Sequence, residues 1–103
     1  MNHNPILIID DEPDIRELLE LTLSRMGYHT QSAATMKEAL QLLAKTTFSL
    51  CLTDMKLPDG SGLDIIKHLQ QRPDEIPVAV ITAYGSVDLA TDSLKAGAFD
   101  FIS

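Results

Sequence analysis

At 103 residues, 45% of them hydrophobic, the chain has room for one domain with a modest core and none for a second independent fold. Fifteen Asp and Glu against eight Lys and Arg leave a formal charge of -7, which argues against this segment gripping a nucleic-acid backbone or an anionic membrane surface by itself. A single cysteine excludes a disulfide framework, and no stretch reaches the roughly 20 apolar residues that span a bilayer or forms a targeting leader, so a cytoplasmic setting is expected.

In chain order, PILII at 5–9 reads as a strand. IRELLELTLSRM at 15–26 reads as a helix with Ile15, Leu18, Leu19, Leu23 and Met26 on its apolar face, Asp14 as its N-cap and Gly27 as its terminator. The weaker run YHTQSA leads into TMKEALQLLAK at 35–45, where Thr35 and Glu38 have capping-box spacing. FSLCLTD at 48–54 is the next strand, with Cys51 a small core residue between Leu50 and Leu52. Pro58, Asp59, Gly60 and Gly62 form a turn in which Gly tolerates positive φ. LDIIKHLQQ at 63–71 is a helix, VAVIT at 78–82 a strand, and SVDLATDSLKAG a helix from Ser86 or Val87 to Ala96 that Gly97 closes; FDFIS begins a last strand.

Strands alternating with helices of this length predict an α/β fold with a mainly parallel sheet covered on both faces. In such a sheet, ligands collect beyond the carboxyl ends of the strands. Asp10 and Asp11 follow the first strand, Asp54 ends the third and Thr82 ends the fourth, so four polar side chains far apart in sequence converge on one rim. Carboxylates brought together repel, and their burial costs several kcal/mol each unless a cation or strong donors compensate. A divalent, oxygen-preferring cation is the simplest remedy, and Mg²⁺ suits a site with few carboxylates because it keeps waters and accepts phosphate oxygens. Asp54, rigidly placed after an apolar strand, reads as the reactive group, since aspartate can attack phosphorus to form an acyl phosphate. A hydroxyl such as Thr82 would then stabilise the equatorial oxygens.

IIDDEPDIR, LCLTDMKLPDGSGLDII, VAVITAYGS and LKAGAFDFIS together resemble the receiver domain of bacterial two-component response regulators. The likeness is strongest to receivers at the N-terminus of sigma-54-dependent, NtrC-type activators, with the type IV pilus regulators a near match, and it covers essentially all of residues 1–103. It implies a flavodoxin-like (βα)5 fold of five parallel strands flanked by five helices. Asp54 becomes the phosphoacceptor, served by a sensor histidine kinase as partner. Asp10 and Asp11 become the acidic pair that organises Mg²⁺, with Asp11 and Asp54 ligating directly, Asp10 acting mainly through water and the Lys56 carbonyl as a further ligand. Thr82 takes the place of the hydroxyl that binds a phosphoryl oxygen, and Phe101 that of the aromatic whose position accompanies the switch. In the parent regulator the resemblance implies a homodimer or higher oligomer, and contact with DNA and sigma-54 RNA polymerase through downstream domains.

The family has a lysine shortly after this aromatic, and FDFIS stops at Ser103 where it is due. A cut fragment without the fifth helix is therefore expected, with apolar surface left open on the first helix and the sheet. Other readings compete. Asp10 and Asp11 alone would serve as loop caps, and Glu12 and Asp14 as rim charge. Lys56 and Tyr84 are expected near the pocket mouth. His3, His29 and His68 are dispersed without ligand spacing. A Mg²⁺-dependent phosphohydrolase also forms an aspartyl phosphate, but such enzymes place an aspartate two residues after the nucleophile, where this chain has Lys56. An interaction module independent of phosphorylation is the third alternative.

Overall fold

The computed structural model describes residues 4–81, 92, 94–98 and 100–102. The first apolar run forms strand β1 (Ile6–Ile9), all four of whose residues are buried, as a central parallel strand requires. Helix α1 (Pro13–Arg25) starts earlier than its periodicity suggested. Its N-cap is Glu12, which makes no side-chain capping bond, rather than Asp14. Pro13 accounts for the difference, because proline at the first helical position has no N–H to satisfy and a preset φ. The helix ends as expected, at Met26 and then Gly27 with φ of 92°. Its inward face carries the half-buried Ile15, Leu19 and Leu23, whereas Leu18 and Met26 point out and are 60% and 64% exposed.

Strand β2 (Thr30–Ala33) leads to helix α2 (Met36–Lys45), where the Thr35 hydroxyl accepts from the Glu38 N–H at 3.1 Å. The reciprocal half of the expected box is shifted by one residue, Glu38 accepting from the Ala34 N–H at 3.3 Å. Strand β3 (Leu50–Thr53) is followed by a small antiparallel hairpin, β4 (Lys56–Leu57) with β5 (Gly60–Ser61). Helix α3 (Gly62–Gln70) opens with a full capping box between Ser61 and Asp64. Strands β6 (Val78–Ile81) and β7 (Asp100–Ile102) complete the sheet. The predicted helix from Ser86 lies largely outside the described residues, although 92 and 94–96 are helical and Gly97 has φ of 121°.

All five long strands are parallel, in the order β2-β1-β3-β6-β7. This is the flavodoxin-like order, and the chain reverses its direction of advance between β1 and β3. On one face, Leu7, Ile9, Cys51, Val78 and Val80 pack with Ala39 and Leu43 of α2 and Ile65, Ile66 and Leu69 of α3 into the main core. Fully burying such a side chain contributes about 1.5–3 kcal/mol. Cys51 is a core residue as expected, and burial pushes its thiol up to about 12. The alternate residues lie on the other face, where α1 packs on β1 and β2 and the Ser32 hydroxyl donates to Glu20 at 2.6 Å. Ile8 and Ala79 are sealed there, but Leu50, Leu52 and Ile81 are only half-buried and α1 buries no residue fully. Apolar surface therefore does lie open on α1 and on this face of the sheet.

Candidate functional site

The hydrogen-bond ladder of the sheet runs on past the strands into the acidic residues. The Asp10 N–H donates to the Ala33 carbonyl at 3.0 Å, and the Asp54 N–H donates to the Ile9 carbonyl at 2.8 Å. Both carboxylates thus stand on backbone that is still held like a strand, at the place where the connections leaving β1 and β3 part. Asp10, Asp11 and Asp54 each offer a carboxylate oxygen, and these oxygens all lie within 4.8 Å of one another.

Their surroundings differ. Asp10 is buried, and its Oδ1 accepts from the Glu12 N–H at 2.9 Å, a local turn that leads into Pro13. The Arg16 guanidinium donates to the Asp10 carbonyl at 2.7 Å. Asp11 is exposed. Asp54 is half-buried; its Oδ1 accepts from the Met55 N–H at 2.7 Å, and the Lys56 N–H also bonds its carboxylate. The buried Thr53 hydroxyl donates to the Asp54 carbonyl at 2.9 Å.

Burial pushes the Asp54 carboxyl above its ordinary value, and the neighbouring Asp10 adds to the effect; the Met55 and Lys56 N–H groups oppose it, and Asp11 raises it further. Asp10 is raised mainly by burial and then by Asp11, against the Glu12 N–H and Arg16. The backbone donors leave the repulsion only partly relieved, so the group asks for positive charge. Three hard oxygen donors without a sulfur or imidazole ligand fit a divalent cation such as Mg²⁺ or Ca²⁺ rather than a thiolate-seeking metal.

Gly62 fits α3 against this site. Its N–H donates to the Met55 carbonyl at 2.8 Å, and a Cβ added to it would lie 2.6 Å from the Asp54 carbonyl oxygen. Neither Gly60 nor Gly62 has positive φ, which corrects the turn reading: room, not backbone handedness, requires glycine at 62. Gly62→Ala is expected to lower stability by about 1–3 kcal/mol through this overlap with backbone. Urea unfolding checks it, as a lower midpoint at unchanged slope.

Of the predicted site residues, the structure brings together Asp10, Asp11 and Asp54, and it is the N–H of Lys56 that bonds the Asp54 carboxylate, whereas the expectation concerned the Lys56 carbonyl. Thr82, Tyr84 and Ser86 lie outside the described residues, as does the side chain of Phe101, whose backbone belongs to β7. Sequence reasoning missed Arg16, Thr53 and the spatial role of Gly62. The spacing of Arg16 from Asp10 resembles that of any polar helix residue, and a strand threonine gives no sign of which way its hydroxyl turns. Among the described residues no helix is long and apolar enough to cross a membrane.

A family model described as the response regulator receiver domain matches residues 6–103. The response regulator protein PilR of Pseudomonas aeruginosa is 62% identical over 103 residues, covering 100% of this chain and 23% of that protein. Sporulation initiation phosphotransferase F of Bacillus subtilis is 38% identical over 98 residues, covering 95% of this chain and 79% of that one. Among solved structures, the Thermotoga maritima response regulator TrrA in complex with Mg²⁺-BeF superposes with a TM-score of 0.85 at 30% identity, over 96% of this chain and 84% of that one. The chain thus spans under a quarter of the length of the PilR relative and most of the length of the other two.

Proposed function

The chain belongs to the response regulator receiver domain family, and on that premise we propose that it is a phosphorylation-controlled switch whose phosphoacceptor is Asp54. The observation that carries this reading is the meeting of Asp54 with Asp10 and Asp11 at the carboxyl rim of the β2-β1-β3-β6-β7 parallel sheet. The complex of TrrA with Mg²⁺-BeF supports it from a relative.

In the proposed reaction a sensor histidine kinase presents a phosphohistidine. The Asp54 carboxylate attacks phosphorus, an O–P bond forms and the P–N bond breaks. The imidazole nitrogen keeps the bonding pair and takes up a proton, leaving an acyl phosphate on Asp54. Met55 and Lys56 hold the carboxylate in place with their N–H groups. Asp11 and Asp54 would hold Mg²⁺ directly, with Asp10 acting through water and the Lys56 carbonyl as a further ligand. When bound, the ion supplies positive charge against the carboxylates and the phosphoryl oxygens. Arg16 steadies the loop of the acidic pair through the Asp10 carbonyl. Thr82, next after β6 in sequence, is proposed to donate to a phosphoryl oxygen.

Likeness to PilR and to the regulatory proteins AtoC and ZraR supports an NtrC-type parent. We place residues 1–103 as its receiver, working in the cytoplasm as part of a dimer or larger assembly. Sigma-54 RNA polymerase and DNA would be engaged by other domains.

Incubation with acetyl phosphate and Mg²⁺ tests the reading by intact mass. One phosphoryl increment is expected, dependent on Mg²⁺ and discharged by hydroxylamine as an acyl phosphate should be. A folded, metal-binding chain that gains nothing would favour an interaction module instead.

A further inference from the structure

Asp59 stands at the turn of the β4–β5 hairpin and reaches the start of α2. Its Oδ1 accepts from the Met36 N–H at 2.7 Å and its Oδ2 from the Lys37 N–H at 3.0 Å. One carboxylate more than twenty residues away in sequence therefore satisfies two of the donors that a helix N-terminus leaves open. These two N–H groups hold the Asp59 carboxyl below its ordinary value.

The hairpin that carries Asp59 is too small to be stable alone, with Lys56 paired to Ser61 and Leu57 to Gly60. Its position depends on its anchors. At the base, the Gly62 N–H donates to the Met55 carbonyl. In the middle, Leu57 is buried in the main core. At the tip are the Asp59 bonds and the Met36 side chain, which packs so closely over Gly60 that an added Cβ would lie 2.7 Å from its Sδ. The same short segment begins with Met55 and Lys56, whose N–H groups bond the Asp54 carboxylate.

We propose that Asp59 is a positioning residue for Asp54: by pinning the hairpin tip to α2 it keeps the Met55 and Lys56 N–H groups on the carboxylate that accepts the phosphoryl group. The last step rests on the reading of Asp54 as the phosphoacceptor; the hold on the two N–H groups does not. A consequence is that the first turn of α2 is mechanically joined, through the hairpin, to the reactive carboxylate.

Four versions of the chain test this: the parent, Asp59→Ala, Asp59→Asn and Thr35→Ala. Asn keeps one acceptor oxygen and tests for partial rescue. Thr35→Ala removes the cap of the same helix without touching the hairpin. Amide hydrogen exchange at Met55 and Lys56 is read by NMR without metal or donor, and phosphorylation is followed at saturating Mg²⁺ and acetyl phosphate. In Asp59→Ala, exchange at the two amides is expected to rise roughly tenfold and the maximal phosphorylation rate to fall roughly tenfold, as misplacement of a reacting group does. Asp59→Asn should fall between, and Thr35→Ala should lower the Tm while moving both readouts far less than Asp59→Ala does. Equal changes in Asp59→Ala and Thr35→Ala would reduce Asp59 to a helix cap and overturn the proposal, as would unchanged exchange in both Asp59 variants. A parent chain that takes no phosphoryl group overturns the reading of Asp54, and exchange alone then decides whether Asp59 holds the two amides.

Discussion

Asp54→Asn is expected to lower phosphoryl uptake from acetyl phosphate at least about a thousandfold, to the level of non-specific labelling, because the variant lacks the attacking oxygen anion. The substitution is close in shape, and its amide oxygen can still accept from the Met55 N–H that now bonds Oδ1 at 2.7 Å. Loss of uptake would therefore report chemistry rather than collapse of the loop. Intact mass and far-UV circular dichroism of the same samples separate the two. Uptake that persists in a folded variant would move the reaction to another carboxylate, and Asp11 is then the candidate, being within 4.8 Å and exposed.

The second large effect is on stability, and it couples pH to metal. The folded chain raises the Asp10 and Asp54 carboxyls above their ordinary value of 3.8, chiefly through burial, with the neighbouring carboxylates adding to it. A carboxyl raised on folding binds protons more tightly in the native state, so unfolding becomes easier as pH rises from about 4 through the raised values. The penalty is complete once pH has passed the raised values. Like charges within 4.8 Å of one another repel by at least about 1 kcal/mol, and because Asp11 is exposed and Asp54 only half-buried the effect stays near that figure. Metal-free protein is thus expected to lose stability as pH rises from about 4 through the raised values of this pair, and Asp54→Asn to recover about 1 kcal/mol above them. Mg²⁺ at about 100 times its Kd should add about 2.7 kcal/mol to the parent, a Tm rise of roughly 10–20 °C for a domain of this size. That gain should shrink sharply in Asp54→Asn. Thermal unfolding at several pH values, with Mg²⁺ or with chelator, decides it; a Tm indifferent to Mg²⁺ in the parent would remove the metal from the proposed reaction.

Much of this was legible in the residues. β1 and β6 were visible as short apolar runs, and α2 and α3 as amphipathic segments, the first with a cap at Thr35; the Ser61–Asp64 box that opens α3 went unread. Given a parallel sheet, the rule that ligands gather at strand ends placed Asp10, Asp11 and Asp54 together, because strand ends are fixed by where apolar runs stop. What escaped depends on contacts between distant segments. The N-cap of α1 was misplaced because Pro13 starts a helix without a capping side chain. Leu18 and Met26 look like core residues by spacing, yet a helix seated on the sheet by one narrow stripe leaves them outside. The β4–β5 hairpin is two residues a side, below what alternation can reveal. Asp59 was taken for a turn residue, and no local pattern announces that its carboxylate bonds a helix more than twenty residues upstream.

The strand order itself separates two properties usually discussed together. β1 has β2 on one flank and β3 on the other, so the connection leaving β1 and the one leaving β3 depart in opposite directions. The hollow between those departures comes from the route of the chain, and three alanines at 10, 11 and 54 would keep it while deleting its charge. The address of the site and the identity of its occupant are therefore encoded independently, the first in dozens of apolar positions and the second in a handful of rim residues. A designer, or drift, can rewrite the occupant without relocating the address, and substitutions at the rim that leave the sheet's apolar pattern intact should yield folded chains with altered ligands more often than unfolded ones.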